Sequence, residues 1–432
     1  MPSPLSNDRE VVFVDGCRLP FQQSGTGYAD LMAYDMGRMA LKGLLTRNRL
    51  DPGGVDRVVL GSVVQDVDTS NVAREAALGA GIPQSVPAFT VTMACISSNQ
   101  ALTSGAELIA GGQADVVVAG GTETLSDPPI RLQPEVRRRL FQARKAKSPG
   151  DYLELLKGLG PGDLLPEAPS IAEFSTGEVM GESADKLAAM FDVSRRAQDE
   201  YALRSHEKAA EAREQGYLSG ELVPASVPPD FDLITEDNGI RPDTSMEKLA
   251  GLSPSFVKPY GTVSPGNSSP LTDGASAALV MSGEKAEAEG YAPQAVLREY
   301  TYVAQDPGEE LLLGPAYAMP QVLEAAGLGV DDIDVFELHE AFAGQVLAVL
   351  RACASREFAA ENRDGAAPMG EIPMEKLNAW GGSLSLGHPF GATGTRLVTT
   401  AAHRLEAEDG RFALVSACAA GGQGHALLLE RV

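Results

Sequence analysis

The chain has 432 residues, 44% of them hydrophobic and 22% charged, which is enough to bury a sizeable core without disulfides or a structural metal and excludes a small stapled scaffold. Lysine and arginine number 35 against 59 aspartate and glutamate, a formal net charge of −24 that repels phosphate polyanions, so general nucleic-acid binding is excluded. The 4 cysteines, Cys17, Cys95, Cys353 and Cys418, form no CxxC pair and no zinc-ligand spacing, and they fit reduced thiols. Residues 1–10 carry neither a secretory nor an organelle-targeting pattern, and no stretch approaches the ~20 apolar residues of a membrane span. A cytoplasmic protein is expected.

In chain order, β-branched runs alternate with helical patterns. Strands are predicted at 11–14, 58–64, 89–92 and 116–119, with helices at 29–47, 72–80 and 98–110 between them. This is an α/β alternation with a buried sheet. From residue 126 to 270 the rhythm breaks into proline- and glycine-rich stretches interrupted by one strongly helical segment, 195–215. The small-residue run 273–281 reads as a strand returning to the first sheet. The alternation then resumes with strands at 296–303, 335–338 and 412–416 and helices at 316–326, 341–353 and 393–406. We expect two similar α/β halves, residues 1–125 plus 271–292 and residues 293–432, with an inserted loop domain at 126–270.

Four blocks carry reactive residue types at strand-to-helix or strand-to-turn junctions, where an open α/β sheet collects its ligand-handling groups. Cys95 precedes a helix, whose unpaired amides favour thiolate, although a buried structural cysteine fits the same position. His388 stands in the glycine-dense block 380–394 (WGGSLSLGHPFGATG), as a base or as a turn histidine satisfied by hydrogen bonds. Cys418 ends an apolar strand and enters the turn CAAGGQG, 418–424. His339 and Glu340 close the strand at 335–338. His206, His403, Cys17 and Cys353 have no partner motif and read as structural, and His425 reads as packing.

Together, 92–101 (TMACISSNQA), 387–394 (GHPFGATG) and 418–424 resemble the signature blocks of the thiolases, in the family's order and over the whole chain. The HEAF at 339–342, GIRP at 239–242 and KPYGT at 258–262 resemble the β-subunit of the fatty-acid β-oxidation trifunctional complex and its bacterial counterparts. The resemblance implies a duplicated five-layer α-β-α-β-α fold and a 3-ketoacyl-CoA thiolase. Cys95 would be acylated, His388 would take its proton, Cys418 would be the acid/base at carbon, and His339, held by Glu340, would support the enolate oxygen. It further implies that Ser269, Phe342 and Met180 bind the pantetheine arm and that backbone amides at Cys95 and in the 418–422 turn, where Ala420 stands, donate to a second oxyanion. The family often has glycine at that position, which leaves the backbone geometry there open.

Coenzyme A is expected as cosubstrate, with no other cofactor and no metal. A homodimer or dimer of dimers is expected, with a hydratase/dehydrogenase α-type subunit as a further partner. Val179 stands where short-chain biosynthetic relatives have histidine, and an apolar wall there suits a longer acyl chain. Condensation by an acetyl-CoA C-acetyltransferase, a ketoacyl synthase-like enzyme and a non-catalytic lipid carrier are the alternatives; the second cysteine argues against the synthase. The segment 131–147 holds seven basic residues and one acidic, Glu135. It reads as a solvated face, a partner-docking surface, a membrane-surface contact or part of the CoA entrance.

Overall fold

Valine-rich segments that must bury both faces assemble one ten-stranded sheet in the computed structural model, which describes residue 5 and residues 9–167, 172–363 and 365–432. Residues 1–4 and 6–8, included in the search for targeting signals, lie outside the described residues. The strands run in the order Val335–Leu338, Phe412–Ala419, Gln423–Arg431, Ala295–Ala304, Val11–Arg18, Thr272–Ser282, Val116–Glu123, Arg57–Gly61 and Ala88–Val91, and the short strand Gln22–Gln23 pairs beside Thr272–Ser282. Each half repeats one pattern. Arg57–Gly61 lies parallel to Val116–Glu123, which is antiparallel to Thr272–Ser282. Correspondingly, Val335–Leu338 lies parallel to Phe412–Ala419, which is antiparallel to Gln423–Arg431. Among the described residues the two half-sheets share two ladder pairs, Val12 with Val296 and Phe13 with Ala295.

Helices cover both faces of each half-sheet. Ala33–Arg47 and Val72–Gly79 bury Met36, Leu41, Leu44 and Ala76 against the first half's outer face. Gly314–Ala326 and Ala343–Ala354 do the same for the second half with Met319, Val322 and Val346. Between the half-sheets lie Ser97–Ala110 and Thr393–Ala407, whose Leu102, Ile109, Leu397 and Leu405 share one core with residues of both halves. These are the five layers of a thiolase-like fold. The two central helices approach closely: a Cβ on Gly394 would lie 2.0 Å from Asn99 Oδ1, and Ser98 Oγ accepts from Thr395 N at 3.0 Å.

The segment between the halves is more helical than its proline and glycine content suggested. Pro134–Ala143, Pro149–Leu156, Met180–Met190 and Arg195–Glu214 are helices, and Ala225–Val227 pairs with Asp232–Ile234. The prolines are the reason: Pro134 and Pro149 occupy the first helical turn, where the missing N–H has no partner to lose, so they start helices rather than break them.

A buried ion cluster ties this segment to the sheet. Arg18, at the end of Val11–Arg18, donates from Nη1 and Nη2 to Asp237 at 2.6 and 2.9 Å and from Nε to Glu221 at 2.7 Å, and all three residues are buried. Glu221 also accepts from Thr400 Oγ1 at 2.8 Å, which brings in the second central helix. Replacing Arg18 strands two buried carboxylates. Arg18→Ala should lower unfolding stability by roughly 3–5 kcal/mol in urea melts; a loss under about 1 kcal/mol would show that the cluster does not hold the segment.

Candidate active site

Three strand-end turns converge on one point. Strand Ala88–Val91 leads through a tight turn, with Ala94 at φ 46°, into helix Ser97–Ala110. Ser97 closes that turn by accepting from Met93 N at 2.8 Å and donating to the Ala94 carbonyl at 2.6 Å. Cys95 sits in the turn, partly exposed, with its backing in the shared central core. Its Sγ and one ring nitrogen from each of His339 and His388 all lie within 4.8 Å of one another.

His339 directly follows strand Val335–Leu338, and its N–H extends the parallel ladder to Ser416 O at 2.9 Å. Its ring is fully buried, with Nδ1 2.9 Å from Ser383 Oγ. Glu340 does not touch that ring, contrary to the expectation from sequence. It accepts instead from Tyr201 Oη (2.9 Å), Ser205 Oγ (2.8 Å), Asn378 Nδ2 (2.7 Å) and Leu384 N (3.2 Å). The carboxylate fixes the 378–384 turn that carries Ser383, and its hold on His339 is indirect.

His388 follows Gly387, whose φ of +108° and close approach to Thr272 exclude a side chain: a Cβ would lie 2.6 Å from Thr272 Oγ1. The same Thr272 hydroxyl accepts from His388 N at 3.1 Å, so a strand of the first half positions a turn of the second. His388 Nδ1 is 2.7 Å from Thr393 Oγ1, and the two imidazole rings stand 4.0 Å apart between centroids. Nε2 of each ring is buried with no partner.

Cys418 lies at the end of strand Phe412–Ala419, fully buried and close enough to Cys95 for Cys95 to oppose its ionisation. Beyond it, the Ala420 backbone lies near the Cys95 sulfur and favours a thiolate there. The left-handed part of this turn falls on Gly421 (φ 85°) and Gly422 (φ 66°), so alanine at 420 meets no steric penalty. That settles the backbone question the sequence left open.

The electrostatics modify one expectation. The helix N-terminus behind Cys95 was expected to favour thiolate, yet burial outweighs it and the Ala420 amide together and pushes the resting thiol up to about 12. Burial also pushes Cys418 well above the ordinary thiol range, with Cys95 adding to the effect. His388 falls to about 3, mainly by burial and then by the Arg396 guanidinium. His339 falls well below its ordinary value through burial, His388 and Arg396. The resting site is therefore neutral: two thiols and two uncharged imidazoles. The Cys95 and histidine atoms are also close enough to grip a metal ion, which would occupy the sulfur and nitrogen lone pairs that nucleophilic chemistry uses.

Of the residues proposed for the pantetheine arm, Ser269 and Phe342 are neighbours, and Met180 packs on the same core as Phe342. Ser269 N donates to Ala341 O at 2.9 Å and Ser268 bridges to Phe342. Phe342 meets Phe256 edge-on at 6.1 Å, and both it and Met180 pack on the core that contains Cys418. The structural assignments of Cys17, Cys353, His206 and His425 agree with their burial, His425 having Nδ1 3.0 Å from Thr301 O.

Comparison with known proteins gives this geometry a family. The chain matches the model "Thiolase, N-terminal domain" over residues 11–284 and "Thiolase, C-terminal domain" over residues 291–431. It belongs to the thiolase family. It is 57% identical over 424 residues to the mouse protein named trifunctional enzyme subunit beta, mitochondrial, covering 98% of this chain and 89% of that one. It is 42% identical over 432 residues to the 3-ketoacyl-CoA thiolase of Yersinia pestis, covering 99% of each. The crystal structure of human mitochondrial 3-ketoacyl-CoA thiolase superposes with a TM-score of 0.83 at 31% identity, covering 98% of this chain and 99% of that one.

Two features of this thiolase were not singled out from sequence as parts of the site. Glu123, at the end of strand Val116–Glu123, accepts from Val63 N (3.0 Å), Val64 N (2.9 Å) and Gly391 N (2.9 Å), locking the His388 turn to the first half. Burial pushes it up to about 8 despite those three donors. Its only sequence signal was an acidic residue following a run of valines and glycines. The second is a cleft of about 210 Å³ beside Ser268 and Pro270 that includes Arg241 and Lys248. Asp243 lines it as well and is ion-paired with Lys248, so the cations there are partly offset; a CoA entrance was one of the roles left open for the basic segment 131–147.

The basic segment holds helix Pro134–Ala143, which forms a hairpin with Pro149–Leu156; neither helix has a buried residue, as a solvated face requires. Leu140, Phe141, Leu153 and Leu156 are each more than half exposed beside Arg138.

The neutral resting site fixes the sign of a pH response. A thiol raised to about 12 stays protonated below that pH, so the rate of Cys95 alkylation by iodoacetamide should climb continuously from about pH 6 to about pH 10. A plateau below about pH 8 would instead demonstrate a preformed thiolate–imidazolium pair.

Proposed function

We propose that this thiolase cleaves 3-ketoacyl-CoA with coenzyme A, giving acetyl-CoA and an acyl-CoA two carbons shorter. The carrying observation is the convergence of Cys95, His339 and His388 within 4.8 Å, with Cys418 beside Cys95. In the first half-reaction His388 takes the Cys95 proton as the sulfur attacks the 3-keto carbon. The bond between C2 and C3 then breaks, leaving the acyl chain on Cys95 as a thioester and its electron pair on the departing acetyl-CoA enolate. Cys418 gives its proton to the enolate carbon, while His339 donates to the enolate oxygen and the Ala420 amide to the oxyanion formed at C3. In the second half-reaction the thiol of CoA passes its proton to Cys418 and attacks the thioester, which releases Cys95 to recover its proton from His388. Coenzyme A is cosubstrate, and these steps call on no metal or further cofactor.

Ser269, Phe342 and Met180 are the proposed contacts for the pantetheine arm. Val179, the apolar residue before helix Met180–Met190, supports a preference for longer acyl chains. The intact set of two thiols and two histidines disfavours a non-catalytic carrier, and Cys418 disfavours a ketoacyl synthase.

For assembly we propose a homodimer or a dimer of dimers. One sheet edge is covered: strand Val335–Leu338 bonds to 376–378 through Phe336. The other, Ala88–Val91, has no strand on its outer side among the described residues, and it leads straight to Cys95. A hydratase/dehydrogenase subunit is proposed as a further partner, since trifunctional β-subunits are among the relatives, with the exposed hairpin as the available surface. No helix among the described residues is long and apolar enough to cross a membrane. The cytoplasm is our proposed location, with which 4 free cysteines are compatible.

Cys95→Ser should lower thiolysis by at least about 10³-fold and leave no trapped acyl-enzyme in intact-mass spectra; normal acylation of that variant would sink the mechanism. In a rate series over 3-ketoacyl-CoA lengths, the four-carbon substrate should not be the best; a clear optimum there would favour the acetyltransferase reading. Charge reversal at Arg137 and Arg138 should alter either assembly with a hydratase/dehydrogenase subunit or sedimentation with anionic liposomes. If neither moves, the hairpin is a solvated face.

A further inference from the structure

We propose that Ser383, Arg396 and Thr393 are positioning residues that set the two active-site histidines in opposite tautomers: His339 with its proton on Nε2, as a donor, and His388 with its proton on Nδ1, leaving Nε2 as a base. The inference rests on the reading that these histidines serve Cys95 chemistry. It adds what makes two identical side chains, buried side by side, perform different tasks.

The argument starts with Arg396, which is buried and can only donate. Its Nη2 donates to Ser383 Oγ at 3.0 Å. That oxygen therefore accepts from one side, and its own proton needs an acceptor. His339 Nδ1, 2.9 Å away, is the one in place. If Nδ1 carried the proton instead, the Ser383 hydroxyl hydrogen would be left buried and unpaired, at the cost of a lost hydrogen bond. Nδ1 of His339 thus accepts. Because desolvation keeps the ring uncharged, its single proton belongs on Nε2, which faces no protein partner.

His388 has the opposite arrangement. Its Nδ1 lies 2.7 Å from Thr393 Oγ1, and the Thr393 hydroxyl donates to the Pro389 carbonyl at 2.9 Å. With the hydroxyl proton committed there, Oγ1 accepts and Nδ1 donates. The neighbouring ring adds a second reason. The rings are 4.0 Å apart and an Nε2–H already projects from His339, so a lone pair on His388 Nε2 avoids opposing one N–H with another. A lone pair there is also what a base for the Cys95 thiol requires, just as a fixed partner on the far nitrogen sets the working tautomer of other catalytic histidines.

The direct test is a two-bond proton–nitrogen correlation spectrum of the whole protein labelled with nitrogen-15 at histidine, with His339 and His388 assigned by single substitution. The expected result is Nε2–H for His339 and Nδ1–H for His388. Equal tautomers, the reverse pairing or a charged ring at neutral pH overturns the proposal, and none of these requires turnover, so they stand apart from failure of the thiolase reading. Two variants add a kinetic readout. Thr393→Val should slow acylation of Cys95 by a 3-ketoacyl-CoA at neutral pH by at least about tenfold, a fraction of the ~10²–10⁴ that a placed base supplies, whereas Thr393→Ser keeps the hydroxyl and should stay within about threefold of the parent. Equal rates in the two variants would remove Thr393 from its role. Ser383→Ala should give His339 a mixed tautomer signal and lower kcat about tenfold with KM changed less than about twofold; an unchanged His339 signal would dismiss Ser383.

Discussion

The constraint on which the site depends is desolvation of two imidazoles and the Cys418 thiol beside a partly exposed Cys95. Water cannot decide their protonation, so the protein has to do it with fixed partners. His339 and His388 have only Nδ1 tied, each to a hydroxyl, and the turns carrying Ser383 and Thr393 are themselves secured by buried polar groups. Glu340 collects four donors to hold the 378–384 turn, and Glu123 collects three amides to hold the turn at Gly391. Neither acid reaches the reacting atoms. Both are costly to bury, and both are placed where a shift of the turn would move a histidine.

This neutrality also suits the proposed chemistry. A resting thiolate beside a carbonyl would be stabilised before reaction, and that stabilisation would have to be lost in the attack. With Cys95 held as a thiol and His388 as an uncharged base, charge develops only as the sulfur meets carbon, beside the Ala420 backbone already near it. The oxyanion groups then act where charge appears rather than where it rests.

Much of this was legible in the sequence. The alternation of strands and helices, the four reactive blocks and the return of strand Thr272–Ser282 to the first half's sheet all follow from local patterns. Three things did not. The helices at Pro134 and Pro149 were hidden because proline marks both a break and a first turn. The orienting partner of His339 was assigned to its neighbour Glu340, whereas Ser383, 44 positions away, fills that role. The protonation state of Cys95 turned on how much surrounding chain excludes water, which no spacing encodes. In the last two cases the missing information was long-range contact.

The seam between the half-sheets has a final implication. Sharing two ladder pairs among the described residues, the half-sheets cannot hold each other in register through the ladder. Their spacing is set by how far the two central helices can approach, and that distance is limited by Gly394 lying flat against Asn99. Cys95 precedes one of these helices and His388 the other. The missing side chain at Gly394 therefore works as a gauge block, setting the gap between sulfur and imidazole from outside the pocket.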